Sequence, residues 1–270
     1  MLKRTITGAY IVIISCVVLY FSYIPEVMPI ACAVMTGFSV YELCDGTGFS
    51  DNKVFLTVSL LAAVGFSLLQ LPYYANVLQM VFPITVIGFA VLMIMVKRCS
   101  LRNPLKVIAL NLTVIMLFQA FPLLRRMNQG LYYLAGAMIA CAITDVAAYL
   151  VGRSIGKHKL CPSISPNKTV EGSIGGLLFT VFSLPLLGLA LEQTGVLQVD
   201  YHKLVVYSVM ASIVGQFGDL SMSAVKRICG IKDFGNIFPG HGGMLDRFDS
   251  QLLVVPFTFL YCGLTGGFIL

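Results

Sequence analysis

The chain has 270 residues, 58% of them hydrophobic and only 11% charged, with mean hydropathy +0.89. Soluble domains carry roughly 25% charged residues, so this composition excludes an ordinary soluble protein and assigns the chain to a membrane. The net charge of +6 then reads as loop charge facing an anionic leaflet and phosphate ligands, not as a nucleic-acid surface.

A membrane-spanning helix needs about 20 mostly apolar residues, and nine such segments follow one another. The first covers about residues 5–24. It follows Lys3 and Arg4 without a small-residue cleavage site, so it reads as a retained helix and not a signal peptide. The next four cover about 27–43, 54–71, 77–96 and 105–122 and hold almost no ionisable residue. The sixth, about 131–151, carries Asp145 in the run ITDVAAYLVG. The polar loop 152–172 separates it from the seventh, about 173–191. The eighth covers about 203–222, the polar loop 223–250 follows, and the ninth covers about 251–270. The expectation is an all-α, polytopic integral membrane protein of about nine spans. Residues 1–125 form a scaffold of spans one to five, and residues 126–270 a catalytic part of spans six to nine.

Lys and Arg decide the orientation. Fifteen of the 18 fall in connections on the side of the N-terminus and three on the other side. The positive-inside rule therefore predicts a cytoplasmic N-terminus. Both long polar loops then face the cytoplasm, together with the cytoplasmic ends of the segments carrying Asp145 and Asp219. The eight cysteines are scattered, with no CxxC spacing, and indicate neither a disulfide framework nor a zinc site.

The chemistry is concentrated at Gly215–Ser250, GQFGDLSMSAVKRICGIKDFGNIFPGHGGMLDRFDS. Gln216, Asp219, Ser223 and Lys226 recur at helical spacing and share one face. A carboxylate inside a membrane costs a few kcal/mol and needs partners. For Asp219 those are either a packing lysine or a ligand. Lys226 and Arg227 read either as interfacial anchors or as phosphate clamps. Asp246 and Asp249, spaced i, i+3 around Arg247 at a helix entrance, read either as N-terminal caps or, with Asp219, as the ligands of Mg²⁺. Asp233 is the aspartate of this stretch set aside as a metal contact. Gly240, His241, Gly242 and Gly243 offer backbone N–H groups to a phosphate. In the earlier loop, Ser165, Lys168, Thr169 and Glu171 suit phosphate or ribose contacts. No Walker A, Rossmann, G-x-S-x-G or HExxH pattern occurs. Anionic ligands, a divalent metal and a membrane-embedded site point to phosphoryl or nucleotidyl transfer onto a lipid. Two alternatives stay open. One is a CTP-dependent kinase of lipid alcohols. The other is an ion-coupled transporter using Asp145 and Asp219 as relay carboxylates.

The motifs Ser223-x-x-Lys226-Arg227, Lys232-Asp233-x-Gly235, Pro239-Gly240-His241-Gly242-Gly243 and Asp246-Arg247-x-Asp249-Ser250 closely resemble the signature of phosphatidate cytidylyltransferases, the CDP-diacylglycerol synthases. Gly215-Gln216-x-Gly218-Asp219-Leu220, Thr144-Asp145-x-Ala147-Ala148-Tyr149, Gly152-Arg153, Gly156-Lys157 and Ser165-Pro166-x-Lys168-Thr169-x-Glu171-Gly172 extend the resemblance over about residues 140–255. Asn167 and Val170 depart from the family pattern as contacts. The resemblance implies CTP and phosphatidate as substrates and CDP-diacylglycerol and pyrophosphate as products. It also implies Mg²⁺, as one ion or two, a homodimer and residence in the cell inner membrane with a cytoplasmic active site. Nucleic acid is not an expected partner. The roles that follow are metal ligation by Asp219, Asp246 and Asp249 and phosphate clamping by Lys168, Lys226, Arg227 and Arg247. Asp145, Ser223 and the glycine loop border the substrates.

Overall fold

A computed structural model describes residues 2–69, 74–96, 100–238 and 242–269. Among them the helices run α1 Leu2–Phe21, α2 Val27–Gly46, α3 Lys53–Leu69, α4 Tyr74–Ile94, α5 Pro104–Phe118, α6 Ala120–Arg125, α7 Gly130–Ile155, α8 Val170–Gln193, α9 Tyr201–Cys229, α10 Leu245–Phe248 and α11 Gln251–Thr265. The all-α expectation holds. Six helical segments are long and apolar enough to cross a membrane, with α5 and α6 counted together, and three shorter apolar helices accompany them. These match the nine predicted segments. The protein is therefore a multi-pass membrane protein, and its outer faces agree. Ile84, Ile87 and Ile94 of α4 are 70%, 64% and 85% exposed, a surface that suits lipid and not water.

Local signals set several helix ends. Asn103 caps α5 by accepting a hydrogen bond from Leu105 N at 2.9 Å, with Pro104 as the first helical residue. Thr169 Oγ1 accepts from Gly172 N at 3.1 Å and starts α8 at Val170, three residues before the predicted start. Asp200 caps α9 through Lys203 N, and Gly230, at φ +74°, ends it in the left-handed region. Helix α9 thus runs seven residues past its predicted end.

The centre is formed by α5, α6, α7, α9 and α11. Tyr207 of α9 is fully buried there and shares a 2.9 Å hydrogen bond with Thr258 of α11. Helices α7 and α8 pack almost backbone to backbone. A Cβ at Gly172 would lie 2.6 Å from Ala148 O, and one at Gly176 would lie 2.8 Å from Thr144 O. Small residues permit this approach in membranes, where van der Waals contact and not water exclusion holds helices together. The loop predicted at 152–172 contains a short antiparallel hairpin, β1 Lys159–Cys161 with β2 Ser165–Thr169.

Candidate active site

Asp145 on α7 and Asp219 on α9 each sit ten residues before the last residue of their helix. At 1.5 Å per residue that is about 15 Å back along the axis. A cavity of about 520 Å³ opens between them. Asp145, Asp219, Asp246 and Asp249 line it, together with Arg153, Lys168 and Arg247. The tertiary structure therefore gathers carboxylates from α7, α9 and the α10 region, and cations from α7, α10 and β2, around one recess.

A polar seam holds its floor. Thr144 Oγ1 on α7 lies 2.7 Å from Thr180 Oγ1 on α8 and 3.3 Å from Ser212 Oγ on α9. Gln216 Nε2 donates to Ser173 O at 3.2 Å and to Ser212 Oγ at 3.3 Å, while Ser173 Oγ donates to Gln216 Oε1. These bonds lock three helices at one height beside the two intramembrane aspartates. Gly218 of α9 lies against the backbone of Asp249 and Ser250. A Cβ there would lie 2.8 Å from Asp249 O, so only glycine lets the start of α11 approach α9.

Seven of the sixteen predicted site residues, Asp145, Lys168, Thr169, Asp219, Asp246, Arg247 and Asp249, line this cavity, and the other described ones lie elsewhere or beside it. Lys168, at the end of the hairpin, reaches across to Asp219 Oδ2 at 2.5 Å, and Ser223 Oγ donates to Asp219 Oδ1 at 3.4 Å. Asp145 Oδ2 accepts from Ser250 Oγ at 3.4 Å, and Asp249 Oδ1 accepts from Ser250 N at 2.8 Å. Asp246 borders the cavity, yet its oxygens are already occupied. Lys226 Nζ lies 2.8 Å from Oδ1, while Phe234 N and Gly243 N donate to Oδ2 at 2.8 and 2.9 Å. Lys226 and Asp246 thus form a buried ion pair, to which the amides of Phe234 and Gly243 are joined. Gly242 has φ +87°, and a Cβ on it would lie 2.8 Å from Asp246 Oδ2. Glycine is needed there to wrap the backbone round that carboxylate. Gly240 and His241 lie outside the described residues.

Three further predicted residues lie outside the cavity lining. Arg227 does not face the cavity. Its Nε donates to Ile164 O at 3.0 Å and its Nη1 to Ile231 O at 3.1 Å, tying the hairpin turn to the end of α9. Glu171 is spent on its own loop, accepting from Lys157 N at 3.1 Å and lying 2.6 Å from His158 Nδ1. Ser165 pairs with Cys161 in the hairpin and does not line the cavity. Asp233, set aside from the sequence, is exposed and also outside the lining. Arg153 and Asn167 line the cavity without having been assigned a role.

Among the described residues no three carboxylate, His or Cys side chains stand close enough to hold an ion alone. The predicted cage of Asp219, Asp246 and Asp249 is thus not assembled, because Asp246 is turned to Lys226 and the loop amides. The donor set still fits Mg²⁺, which usually takes one or two carboxylates and completes its shell with water and substrate phosphates. Asp219 on α9 and Asp249, between α10 and α11, line the cavity and could supply them.

The family model described as "Cytidylyltransferase family" matches residues 2–265. The chain belongs to the cytidylyltransferase family. Over 150 residues it is 45% identical to a phosphatidate cytidylyltransferase of Bacillus subtilis (strain 168), covering 55% of this chain and 54% of that protein. Similar relatives carry the same name. One from Staphylococcus aureus (strain COL) is 47% identical over 133 residues, and one from Staphylococcus saprophyticus is 45% identical over 129, each spanning 48% of both chains. The chain spans about half the length of the curated relatives it matches.

Proposed function

We propose that the protein transfers the cytidylyl group of CTP to phosphatidate, giving CDP-diacylglycerol and pyrophosphate. The observation that carries this reading is the cavity itself. It combines carboxylates and cations, recessed among membrane-length helices, in a chain of the cytidylyltransferase family. A phosphate on a lipid reaches such a recess while its tails stay in hydrocarbon, and a nucleotide reaches it from the aqueous loops.

In the reaction an oxygen of the lipid phosphate forms a bond to the α-phosphorus of CTP. The bond from that phosphorus to the β-phosphate bridging oxygen breaks, and pyrophosphate leaves. The nucleophile is already anionic near neutral pH, so no general base is required. Catalysis is then positioning and charge neutralisation. Lys168, Arg153 and Arg247 bind the phosphates. Lys168 leaves Asp219 to do so, and the freed carboxylate then faces the nucleotide. Mg²⁺, when bound, neutralises phosphate charge, with Asp219 and Asp249 as its protein ligands. Helices α7, α8 and α9 keep these groups at one height through the Thr144–Ser212–Gln216 seam.

The lysine and arginine distribution supports a cytoplasmic N-terminus and a cytoplasmic opening of the site. The resemblance supports residence in the inner membrane and assembly as a homodimer. The test is conversion of CTP and phosphatidate by detergent-purified protein, with and without Mg²⁺. Release of pyrophosphate with a CDP-lipid supports the reading. Release of CDP with a phosphorylated lipid alcohol would replace it with a kinase, and absence of any CTP turnover would leave the transporter.

A further inference from the structure

Glu42 is a buried carboxylate in the scaffold helix α2, 2% exposed, with no lysine or arginine against it among the described residues. Its partners are backbone amides of the site loop. Met244 N donates to Oε1 at 2.7 Å and Leu245 N donates to Oε2 at 2.9 Å. Two glycines enclose it. A Cβ at Gly235 would lie 2.7 Å from Oε1, and one at Gly243 would overlap the carboxylate. Phe234 N and Gly243 N turn instead to Asp246 Oδ2. Two carboxylates thus share four amides of residues 234–245, one from within the loop and one from 200 residues away in the chain.

A carboxylate is rarely left in an apolar helix without a cation, because burying its charge is costly. Here the donors that a buried carboxylate needs come from backbone amides. Those amides lead directly into α10 and to Asp246, Arg247 and Asp249. We propose that Glu42 is a positioning residue for the reaction: it caps α10 from the scaffold and thereby sets Arg247 and Asp249 at the cavity wall. The scaffold helices then have a catalytic consequence, although α2 contributes no residue to the cavity. This inference rests on the cytidylyl-transfer reading only for its kinetic part.

The experiment compares wild type with Glu42→Gln and Glu42→Ala by backbone hydrogen exchange and steady-state kinetics in detergent. Glutamine keeps one acceptor but turns an NH₂ toward the second amide, and alanine removes both acceptors. Exchange at residues 243–248 should rise about tenfold in Glu42→Gln and further in Glu42→Ala, with α7 and α8 unchanged. The value of kcat should fall about tenfold or more in the same order, with a smaller change in the KM for CTP. Loss of fold would raise exchange throughout the bundle, and an even rise in Glu42→Gln overturns the proposal. So does wild-type exchange at 243–248 in both variants, or an unchanged kcat where exchange has risen. If wild type does not turn over CTP, the function proposed above fails, while the exchange pattern still decides whether Glu42 holds the loop.

Discussion

The Lys226–Asp246 pair allows a quantitative test of how the site loop is held. The pair is 2.8 Å long, and its side chains are 10% and 2% exposed. Consider Asp246→Asn. Asp246 accepts from Lys226 Nζ on one oxygen and from Phe234 N and Gly243 N on the other. An asparagine in that place has one acceptor. If its oxygen serves the two amides, its NH₂ meets the ammonium of Lys226, which is left buried and unpaired. If its oxygen serves Lys226, two buried amides lose their acceptor. Removing one partner of a buried pair costs about 3–5 kcal/mol, and an orphaned buried donor about 1–3 kcal/mol. The smaller of these routes, two orphaned amides, still predicts a loss of at least about 2 kcal/mol, a factor of about 30 in the folding equilibrium. Lys226→Met should cost a similar amount, because it strands the Asp246 carboxylate. The double variant should cost less than the two singles together, by at least about 1.5 kcal/mol, since each single already breaks the pair. The assay is unfolding of the four proteins in mixed micelles, read by helical signal against denaturant. Additive losses, or a loss under about 1 kcal/mol for either single, would show that the pair is not the organiser of the loop.

Other substitutions probe the remaining contacts. Gly218→Ala puts a methyl against Asp249 O and should destabilise by about 1–3 kcal/mol. It should also lower kcat through the displaced Asp249, measured as turnover per folded molecule. Lys168→Met removes the partner of Asp219 from the hairpin. It should raise the KM for CTP at least about tenfold, with the thermal midpoint little changed, since that pair is partly exposed. Asp200, outside the spans, is held below the usual carboxylate range first by its hydrogen bond from Lys203 N. A depressed folded pKa means its stabilisation of α9 is present above the unfolded value near 4 and is lost as pH falls through the folded one. Thermal midpoints taken down the acid range should therefore fall more steeply in wild type than in Asp200→Asn.

Hydropathy alone located the helices, because a span must be apolar over about 20 residues whatever its neighbours are. The intramembrane carboxylates Asp145 and Asp219 stood out for the same reason, since neither has water to explain it. That signal also applied to Glu42, which went unremarked because it lies four residues before the end of α2, next to a polar loop. The direction of side chains at loop edges was not legible. Arg227 and Lys226 are adjacent in sequence, yet one faces carbonyls of the hairpin turn and the other the Asp246 carboxylate. Glu171 was expected at a ligand, but helix α8 begins before it and brings it to the His158 amide.

The sequence by itself determined a helical membrane protein, the aspartates and cations that are candidates for its chemistry, and the family whose motifs it shares. These follow from composition, spacing and residue type, which are properties of the chain. Only the tertiary structure decided how those carboxylates are partnered. Asp246 and Asp249 are three residues apart on nearly continuous helical backbone. Both line the cavity, yet Asp246 is bonded to Lys226 and the amides of Phe234 and Gly243, whereas Asp249 accepts from Ser250 N. That division depends on which donors the packing of α2, α9 and α10 delivers, and no local pattern encodes it.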